Sequence, residues 1–321
     1  MKKRIISSFL ILIMFCMSGC SNAGATSSSY ENHYKNAGVA LKDKTVGTRW
    51  KSAGQVAAVI DPSKLANNLY DDVGEVLLIN NTKNKVVSAQ NIFNKAYPAS
   101  TTKVMTALLT LENCNLNDIV TVKEDVKFKD GAAVSMHLKK GDQISVESLL
   151  NGLLLMSAND AAIVLGRHMA GSDKKFAQMM NERAKELGAT HTHFVNANGL
   201  HENNHYTTAY DLYLIFRQLI RHNEFSAIAG QANSTVEYKN SKNNPLAYEM
   251  SSTNEFLLGE YSLPSNVFMI GGKTGTTTQA GSCLILLTKN KDGDEFISVM
   301  LKANNHAVLY QEMHDLLLKE N

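Results

Sequence analysis

Strand-forming segments lie near both ends of the chain, and helix-forming segments fill the region between them. The sequence GEVLLINNTKNKVVSA at residues 74–89 predicts two strands around a polar turn. A second pair follows near the C-terminus, where GSCLILLTKN and DEFISVMLKA flank an Asp-Gly turn at Asp292 and Gly293. Because both ends supply strand pairs, we expect one antiparallel sheet assembled from the two ends of the chain.

Four segments in the middle of the chain have helical spacing or long apolar helical runs. Ser145, with Glu147 behind it, predicts the start of the second of them. A last helix is expected in NHAVLYQEMHDLLLKE at residues 305–320. These patterns together predict an α+β fold with a helical region inserted between the strands. The four middle segments are VMTALLTLEN, VESLLNGLLLMSANDAAIVLGRHMA, KKFAQMMNERAKELG and AYDLYLIFRQLI.

The first residues have the features of a secretory signal peptide. MKKR is positively charged, ISSFLILIMFCM is apolar, and MSGC ends the segment with small residues. The apolar run is shorter than the roughly 20 residues that a membrane-spanning helix needs. Met17-Ser18-Gly19-Cys20 resembles a bacterial lipobox, in which Cys20 would be lipidated after cleavage. Cleavage by ordinary signal peptidase near Ala23 or Ala25 is the alternative.

We therefore expect residues 1–20 to be a lipoprotein signal peptide. The small, polar residues that follow predict a tether over residues 21–50. A single catalytic domain is expected over residues 51–321, with order beginning near Trp50. The protein is then exported and anchored by lipid at the outer face of a bacterial membrane, or secreted or periplasmic if Cys20 is not acylated.

Charge and cysteine content exclude two broad classes. Removing residues 1–20 takes away three basic residues and no acidic residue, which leaves 29 basic and 30 acidic side chains. Such a balance provides no basic field for nucleic acid. Only Cys114 and Cys283 remain beyond Cys20, too few for a disulfide framework. We expect both to be buried free thiols, because a chain of this length can build a core without disulfides.

A serine and a lysine three residues apart in YPASTTKVMTALLTL could form a nucleophile and its base. Ser100 and Lys103 would share one face at the start of a helix. A serine hydroxyl needs a base, and lysine serves only if burial or a second cation lowers its pKa. The spacing alone is weak evidence, since Ser172 and Lys175 match it at an expected solvated helix start.

Two further motifs follow in order. Ser157-Ala158-Asn159 interrupts an apolar run and therefore either faces a cleft or caps the next helix, although Ser-x-Asn also recurs at residues 241–243 and 252–254. GGKTGTT at residues 271–277 occurs once and leads into a strand; it supplies glycines for close ligand approach, a cation and hydroxyl groups. The three motifs are separated by 57 and 116 residues, and their joint occurrence by chance is improbable.

Together these motifs resemble the serine penicillin-recognising enzymes, which carry Ser-x-x-Lys, Ser-x-Asn and Lys-Thr-Gly in that order. YPASTTKVMTALL, LLLMSANDAA, AKELGATHTHFVNANGL and HYTTAYDL are similar to the D-alanyl-D-alanine carboxypeptidases of that superfamily, over residues 74–305. The resemblance implies a β-lactamase- or transpeptidase-like fold. Two departures are expected: the chain has no C-terminal β-domain or amphipathic anchor helix, and VNANGL replaces the more common Asn-Pro-His-Gly-Leu.

The resemblance implies a serine-type carboxypeptidase that removes the terminal D-alanine from peptidoglycan stem peptides. Ser100 would be the nucleophile and Lys103 its base, while Ser157 and Lys273 would pass a proton to the leaving amine. No metal or organic cofactor is expected. β-Lactam antibiotics would be covalent inhibitors, and the lipid anchor would make the membrane a further partner.

Substrate binding is assigned from the same resemblance. Asn159 would bind the peptide backbone of the substrate. The terminal carboxylate of the substrate would bind to the Lys-Thr-Gly segment at Thr274, Gly275 and Thr276. The backbone N–H groups of Ser100 and Thr276 would form the oxyanion hole.

Other functions remain open at this point. A D,D-endopeptidase acting on cross-linked peptidoglycan would share every motif. A class A-like β-lactamase would need a Glu-x-x-x-Asn element between Ser157 and Lys273, and the sequence contains none. A penicillin-binding sensor without turnover would keep acylation at Ser100 and lose hydrolysis.

HENNH at residues 201–205 also matches the zinc-peptidase signature. That reading requires a helix, so that His201 and His205 share one face. Gly199, Asn203 and Asn204 disfavour a helix here. We therefore expect a loop without metal, with a short strand before it in HTHFV.

Overall fold

Five antiparallel strands join the two ends of the described chain. The computed structural model describes residues 57–58, 69–128 and 133–321. The sheet has the order β2-β1-β9-β8-β7, which places a C-terminal strand directly beside β1. Its members are β1 (Glu75–Asn80), β2 (Lys85–Gln90), β7 (Val267–Thr277), β8 (Gly281–Asn290) and β9 (Glu295–Ala303). The predicted α+β fold and its sheet from both chain ends are confirmed.

Eight α-helices are present in the described residues. Seven of them precede the last three strands of the chain, and the eighth follows those strands and closes the chain. They are α1 (Lys103–Asn113), α2 (Val146–Leu154), α3 (Asn159–Ala170), α4 (Asp173–Glu186), α5 (Ala209–Leu219), α6 (Asn223–Ala229), α7 (Glu255–Leu258) and α8 (His306–Leu317). Helix α8 covers one face of the sheet, where its Leu309 and Met313 pack with Leu78 of β1 and Met300 of β9.

Helix α1 lies at the centre of the helical region. Every residue from Lys103 to Thr110 is buried, so the helix is enclosed on all sides. An enclosed helix cannot shift without opening the core around it. The start of α1 is consequently a rigid position for reactive side chains.

The expected second helix is in fact two helices. The prediction of its start is confirmed, because the Ser145 side chain accepts a hydrogen bond from the Ser148 N–H. However, the run ends at Leu154 and a new helix begins at Asn159. Ser157 lies in the interruption, and its φ of +64° is left-handed and incompatible with a continuous right-handed helix.

A second sheet of four strands was not expected. Its order is β3-β4-β5-β6, formed by β3 (Ile119–Thr121), β4 (Gln143–Ser145), β5 (Asn233–Lys239) and β6 (Pro245–Ser251). The strand predicted in HTHFV is wrong, because only one bridge forms there, between His193 and Tyr206. That segment is held mainly by side-chain hydrogen bonds instead.

Several predictions concern residues outside the described ranges. The signal peptide, Cys20, the tether and the start of order near Trp50 all fall there. In the described part of the chain, no helix is long and apolar enough to cross a membrane. Both remaining cysteines are free thiols as expected, but only Cys283 is buried, while Cys114 is half-buried at the end of α1.

Candidate active site

Ser100 and Lys103 are joined at the entrance to the central helix. Ser100 lies in a 3-10 turn, Ala99–Thr102, and Lys103 is the first residue of α1. The Lys103 Nζ lies 2.8 Å from the Ser100 Oγ. Ala99 has a φ of +46°, an uncommon conformation for a residue with a Cβ. The surrounding packing therefore holds a strained turn directly before Ser100.

The partners of Lys103 define how its protons are arranged. Besides Ser100, its Nζ lies 3.0 Å from the Asn159 Oδ1 and 2.7 Å from the Asn198 backbone oxygen. These two oxygens can only accept hydrogen bonds, whereas a serine hydroxyl can also donate. A neutral amine has two protons and one lone pair. It can thus satisfy both acceptors and still take the proton of the hydroxyl.

The surroundings of Lys103 favour the neutral form. Its pKa lies well below the ordinary value, first because the side chain is fully buried, and second because the cationic Lys273 is near. Asp160 acts in the opposite direction and raises the pKa. Burial and a nearby second cation are the two conditions that the sequence analysis named for a lysine whose pKa is low enough to act as a base.

The break between α2 and α3 places Ser157 and Asn159 at the site. The Asn159 N–H and side-chain amide both donate to the Val134 oxygen, at 2.9 and 3.0 Å, which fixes the oxygen that contacts Lys103. The buried Ser157 Oγ has no hydrogen-bond partner among the residues that the structure describes. A buried hydroxyl without a partner is costly unless a ligand satisfies it.

Strand β7 closes the site from the other side. Lys273 is buried, and this burial lowers its pKa to about 7. Its Nζ donates to the Thr274 oxygen at 3.0 Å. A Cβ at Gly275 would lie 2.7 Å from the Ser100 N and 2.9 Å from the Thr101 N, so only glycine fits there. The Lys-Thr-Gly motif lies within the strand rather than before it, and the Thr276 side chain is exposed.

The structure thus brings the three motifs together. Hydrogen bonds join Ser100, Lys103 and Asn159, and Gly275 lies against the turn that carries Ser100. Their chemical roles stay predictions at this point. The arrangement contains a hydroxyl, a buried amine whose pKa is lowered, the second buried amine of Lys273 and backbone N–H groups, which are the groups that acyl transfer needs.

Comparison with known proteins decides the family. The family model described as D-alanyl-D-alanine carboxypeptidase, Peptidase_S11, matches residues 66–305. The chain belongs to this family. The resemblance inferred from the motifs is therefore confirmed.

Curated relatives agree with this assignment. DacF of Bacillus subtilis, a D-alanyl-D-alanine carboxypeptidase, is 29% identical over 231 residues, which are 70% of this chain and 56% of the relative. DacC of Escherichia coli, of the same description, is 32% identical over 258 residues, which are 75% and 59% of the two chains. The chain accordingly spans less than two thirds of the length of these relatives.

Solved structures extend the similarity over nearly their whole length. A variant of the Streptomyces K15 DD-transpeptidase has a TM-score of 0.70 and 25% identity, covering 78% of this chain and 97% of that one. Penicillin-binding protein D2 of Listeria monocytogenes, in its cefotaxime-bound form, has a TM-score of 0.65 and 28% identity, covering 79% and 98%.

A loop that the sequence treated as a departure from the Peptidase_S11 pattern contributes to the site. Asn198 in VNANGL supplies the backbone oxygen that contacts Lys103. Gly199 has a φ of +83°, and a Cβ there would lie 1.8 Å from the Ala99 oxygen. Asn196 braces the turn by accepting from the Gly199 N–H at 2.7 Å. Sequence reasoning missed this contribution because a backbone oxygen has no residue-type signature; the Asn-Gly turn was the available signal.

HENNH is an irregular loop with a turn at Asn203 and Asn204, as expected, rather than a helix. The His205 Nδ1 accepts from the Val195 N–H at 3.1 Å, so its Nε2 carries the proton toward the Thr102 Oγ1 at 2.7 Å. Burial first, and the neighbouring His193, His201 and Lys103 second, lower the pKa of His205 to about 3. Both ring nitrogens are therefore engaged within the protein, and His205 has none available for zinc. His201 packs edge-on against Tyr97.

Proposed function

We propose that this protein is a serine-type D-alanyl-D-alanine carboxypeptidase that removes the terminal D-alanine from peptidoglycan stem peptides. The contact between the Lys103 Nζ and the Ser100 Oγ, inside a set of two obligate acceptors, is the observation that carries the proposal. It supports a lysine that is neutral and aimed at the serine proton. Family membership supports the peptidase chemistry.

Acylation begins at the carbonyl of the penultimate D-alanine. The Ser100 Oγ attacks that carbon as Lys103 takes the hydroxyl proton. The Ser100 and Thr276 N–H groups hold the negative oxygen of the tetrahedral intermediate. The close approach of Gly275 to the Ser100 N supports this pairing, since Thr276 is the next residue on the strand.

The C–N bond then breaks and the terminal D-alanine leaves as an amine. Ser157 and Lys273 pass the proton that Lys103 took from Ser100 to this nitrogen, which returns Lys103 to its neutral form. The Ser157 hydroxyl, buried and without a partner in the described residues, is free to receive a ligand atom. Asn159 holds the peptide backbone, and the terminal carboxylate meets Lys273, Thr274 and Thr276.

A water molecule completes the cycle by attacking the Ser100 ester. The ester carbon–oxygen bond breaks and the shortened peptide leaves as a carboxylate; one proton of the water returns to Ser100 and the other is released to the solvent. β-Lactams form the same Ser100 ester, but their leaving group stays attached, which keeps the water from the ester. This accounts for penicillin sensitivity.

Exported placement follows from the substrate, which lies outside the cytoplasm. We assign residues 1–20 as a lipoprotein signal peptide with Cys20 as the lipidated residue, residues 21–50 as a tether and residues 51–321 as the catalytic domain. Metabolic labelling with radioactive palmitate tests the anchor. The label is expected on the wild-type protein and absent from Cys20→Ala.

Transfer to an amine acceptor is the second candidate, favoured by the similarity to a DD-transpeptidase over 97% of that structure. The acyl-enzyme would be the same, and an amino group would replace water in the second step. Endopeptidase cleavage of a cross-link would also proceed through this acyl-enzyme. It differs from carboxypeptidase cleavage because the group beyond the scissile bond belongs to a second stem peptide rather than to a terminal D-alanine. Product analysis on an uncross-linked pentapeptide and on a cross-linked muropeptide separates these reactions.

The first experiment is intact mass spectrometry of the chain from Ser21 after addition of benzylpenicillin. A single adduct that persists for minutes in the wild type and is absent in Ser100→Ala is expected. Release of D-alanine from the pentapeptide, also lost in the variant, then establishes the activity. Consumption of the drug without a lasting adduct would indicate a β-lactamase, and acylation without D-alanine release would indicate a sensor.

A further inference from the structure

Thr253 lies beside the Lys-Thr-Gly strand although no motif includes it. It is in the connection between β6 and α7, and its Oγ1 lies 2.6 Å from the Thr274 Oγ1. Both threonines are half-buried. Thr253 belongs to the Ser252-Thr253-Asn254 triplet, which the sequence offered only as a repeat of the Ser-x-Asn pattern.

Three parts of the protein fix the position of Thr253. Its N–H donates to the Leu155 oxygen at 3.0 Å, two residues before Ser157. Its own oxygen accepts from the Tyr310 hydroxyl of α8 at 3.4 Å. Its hydroxyl contacts Thr274 of β7. The residue thus links the Ser157 turn, the Lys-Thr-Gly strand and the last helix.

Tyr310 is itself held in place. Its hydroxyl accepts from the Glu255 N–H at 3.0 Å, and its ring stacks on Tyr261 with centroids 4.7 Å apart. The side chain is fully buried. Thr253 therefore stands on a rigid support, as a residue must when its hydroxyl direction selects a ligand.

The two hydroxyls leave one proton to donate. One hydrogen bond between Thr253 and Thr274 uses one of their two O–H groups, whichever of them is the donor. Neither side-chain oxygen has another hydrogen-bond partner among the residues that the structure describes. One O–H consequently has no acceptor among the residues that the structure describes, and the Lys273 Nζ lies 3.0 Å from the backbone oxygen of the same Thr274.

We propose that Thr253 is a specificity-determining residue for the terminal carboxylate of the substrate. The Thr253–Thr274 pair acts as one unit that presents a single oriented O–H to the carboxylate. This inference rests on the proposed function, because the carboxylate is the group that marks a chain end. A neutral terminus accepts a weaker hydrogen bond from the same O–H.

The test compares two substrates and three variants. Diacetyl-L-lysyl-D-alanyl-D-alanine and its C-terminal amide are hydrolysed by the wild type, Thr253→Val, Thr253→Ser and the exposed control Thr235→Val. Valine keeps the shape of threonine without the hydroxyl. We expect Thr253→Val to lower kcat/KM for the carboxylate substrate about tenfold, by the loss of a bond to a charged group, and for the amide less than twofold. Thr253→Ser keeps the hydroxyl and is expected to retain the preference for the carboxylate substrate over the amide, as is the control Thr235→Val.

Two results overturn the inference. One is an unchanged carboxylate preference in Thr253→Val, and the other is an equal loss on both substrates accompanied by a lower Tm, which indicates a structural role alone. Acylation rates with benzylpenicillin and its methyl ester provide a second measure that needs no carboxypeptidase activity. If the wild type released no D-alanine, the proposed function would fail. The drug-to-ester ratio, expected to fall about tenfold in Thr253→Val, would still decide the role of Thr253.

Discussion

The side-chain oxygen of Asn159 lies 3.0 Å from the amino group of Lys103. The two residues are 56 positions apart in sequence, and this hydrogen bond couples the Ser-x-Asn motif to the Ser-x-x-Lys motif. Because Asn159 is also tied to the Val134 oxygen, its position is fixed independently of the lysine. The amine is thereby oriented from a second helix, which leaves its lone pair for Ser100.

Lys103→Arg is expected to slow acylation of Ser100 by benzylpenicillin by about 10²–10⁴-fold. A guanidinium stays charged and has no lone pair for the serine proton. Acylation rates from intact mass measure the effect. Lys175→Arg, in the exposed Ser172-x-x-Lys175 repeat of the same pattern, is the matched control and retains the wild-type rate. If Ser100 of the Lys103→Arg variant were acylated at the wild-type rate, Lys103 would not be the base.

Lys273 is expected to set the alkaline limb of the kcat/KM profile on a D-alanyl-D-alanine peptide. Its pKa of about 7, lowered by burial, means that the charge attracting the carboxylate is present below pH 7 and lost above it. Lys103 must lose its proton to act as a base, so it gives the acidic limb. The result is a bell-shaped profile whose apparent pKa values belong to the coupled pair.

Lys273→Arg tests this assignment. A guanidinium remains charged throughout the range, so the alkaline limb near pH 7 is expected to disappear even if the overall rate falls. The exposed Lys289→Arg retains the limb. An unchanged limb in Lys273→Arg would assign it to another group.

Gly275→Ala is expected to reduce acylation of Ser100 by at least 100-fold. The new Cβ would lie within 3 Å of the Ser100 and Thr101 amide nitrogens, which forces β7 away from the turn. Gly259→Ala is the control, because Gly259 has a φ of +77° and open space around it. That variant loses about 1 kcal/mol of stability through backbone strain and keeps its acylation rate. Equal acylation rates in the two variants would contradict the proposed contact.

The sequence predicted those parts of the fold that depend on side-chain patterns. The β-rich runs around polar turns at both ends of the chain do form strands, and nearly all side chains of β1, β8 and β9 are buried. The predicted helix start at Ser145 was also correct. The exposed β5 and β6 were missed because few of their side chains enter a core. The segment around Ser157 was grouped as one helical run because of its apolar composition, although capping of a next helix by Ser157-Ala158-Asn159 was left open.

In the site, the motif residues were found by type, but two contacts were not predictable from type. The Asn198 oxygen that contacts Lys103 belongs to the backbone, which every residue has. Thr253 reaches Thr274 only because β6, α7 and β7 fold back together. Such contacts depend on tertiary packing; the Asn-Gly turn at Asn198 was the one local signal, and it indicates a turn rather than a contact with Lys103.

Glu75→Gln is expected to stabilise the protein at pH 8.5 and to change little at pH 5. Glu75 is buried in β1, its Oε2 has no hydrogen-bond partner in the described residues, and burial raises its pKa from 4.5 to about 7 against the opposing effect of Lys302. Between these values the folded protein holds a proton that the unfolded chain has lost. The contribution of Glu75 to the free energy of unfolding is therefore fully present below pH 4.5. It is lost as the pH rises through 7, and the loss is on the order of 2–3 kcal/mol.

Urea unfolding of the wild type, Glu75→Gln and the exposed control Glu182→Gln at the two pH values measures this effect. Glu320, whose pKa burial also raises to about 7, adds to the pH dependence of all three proteins alike, so the difference between variants isolates Glu75. Glutamine keeps the size of the side chain and never ionises, which removes the cost of a buried charge at high pH. A Glu75→Gln protein with the same pH dependence as the wild type would show that the carboxylate is solvated in the folded state.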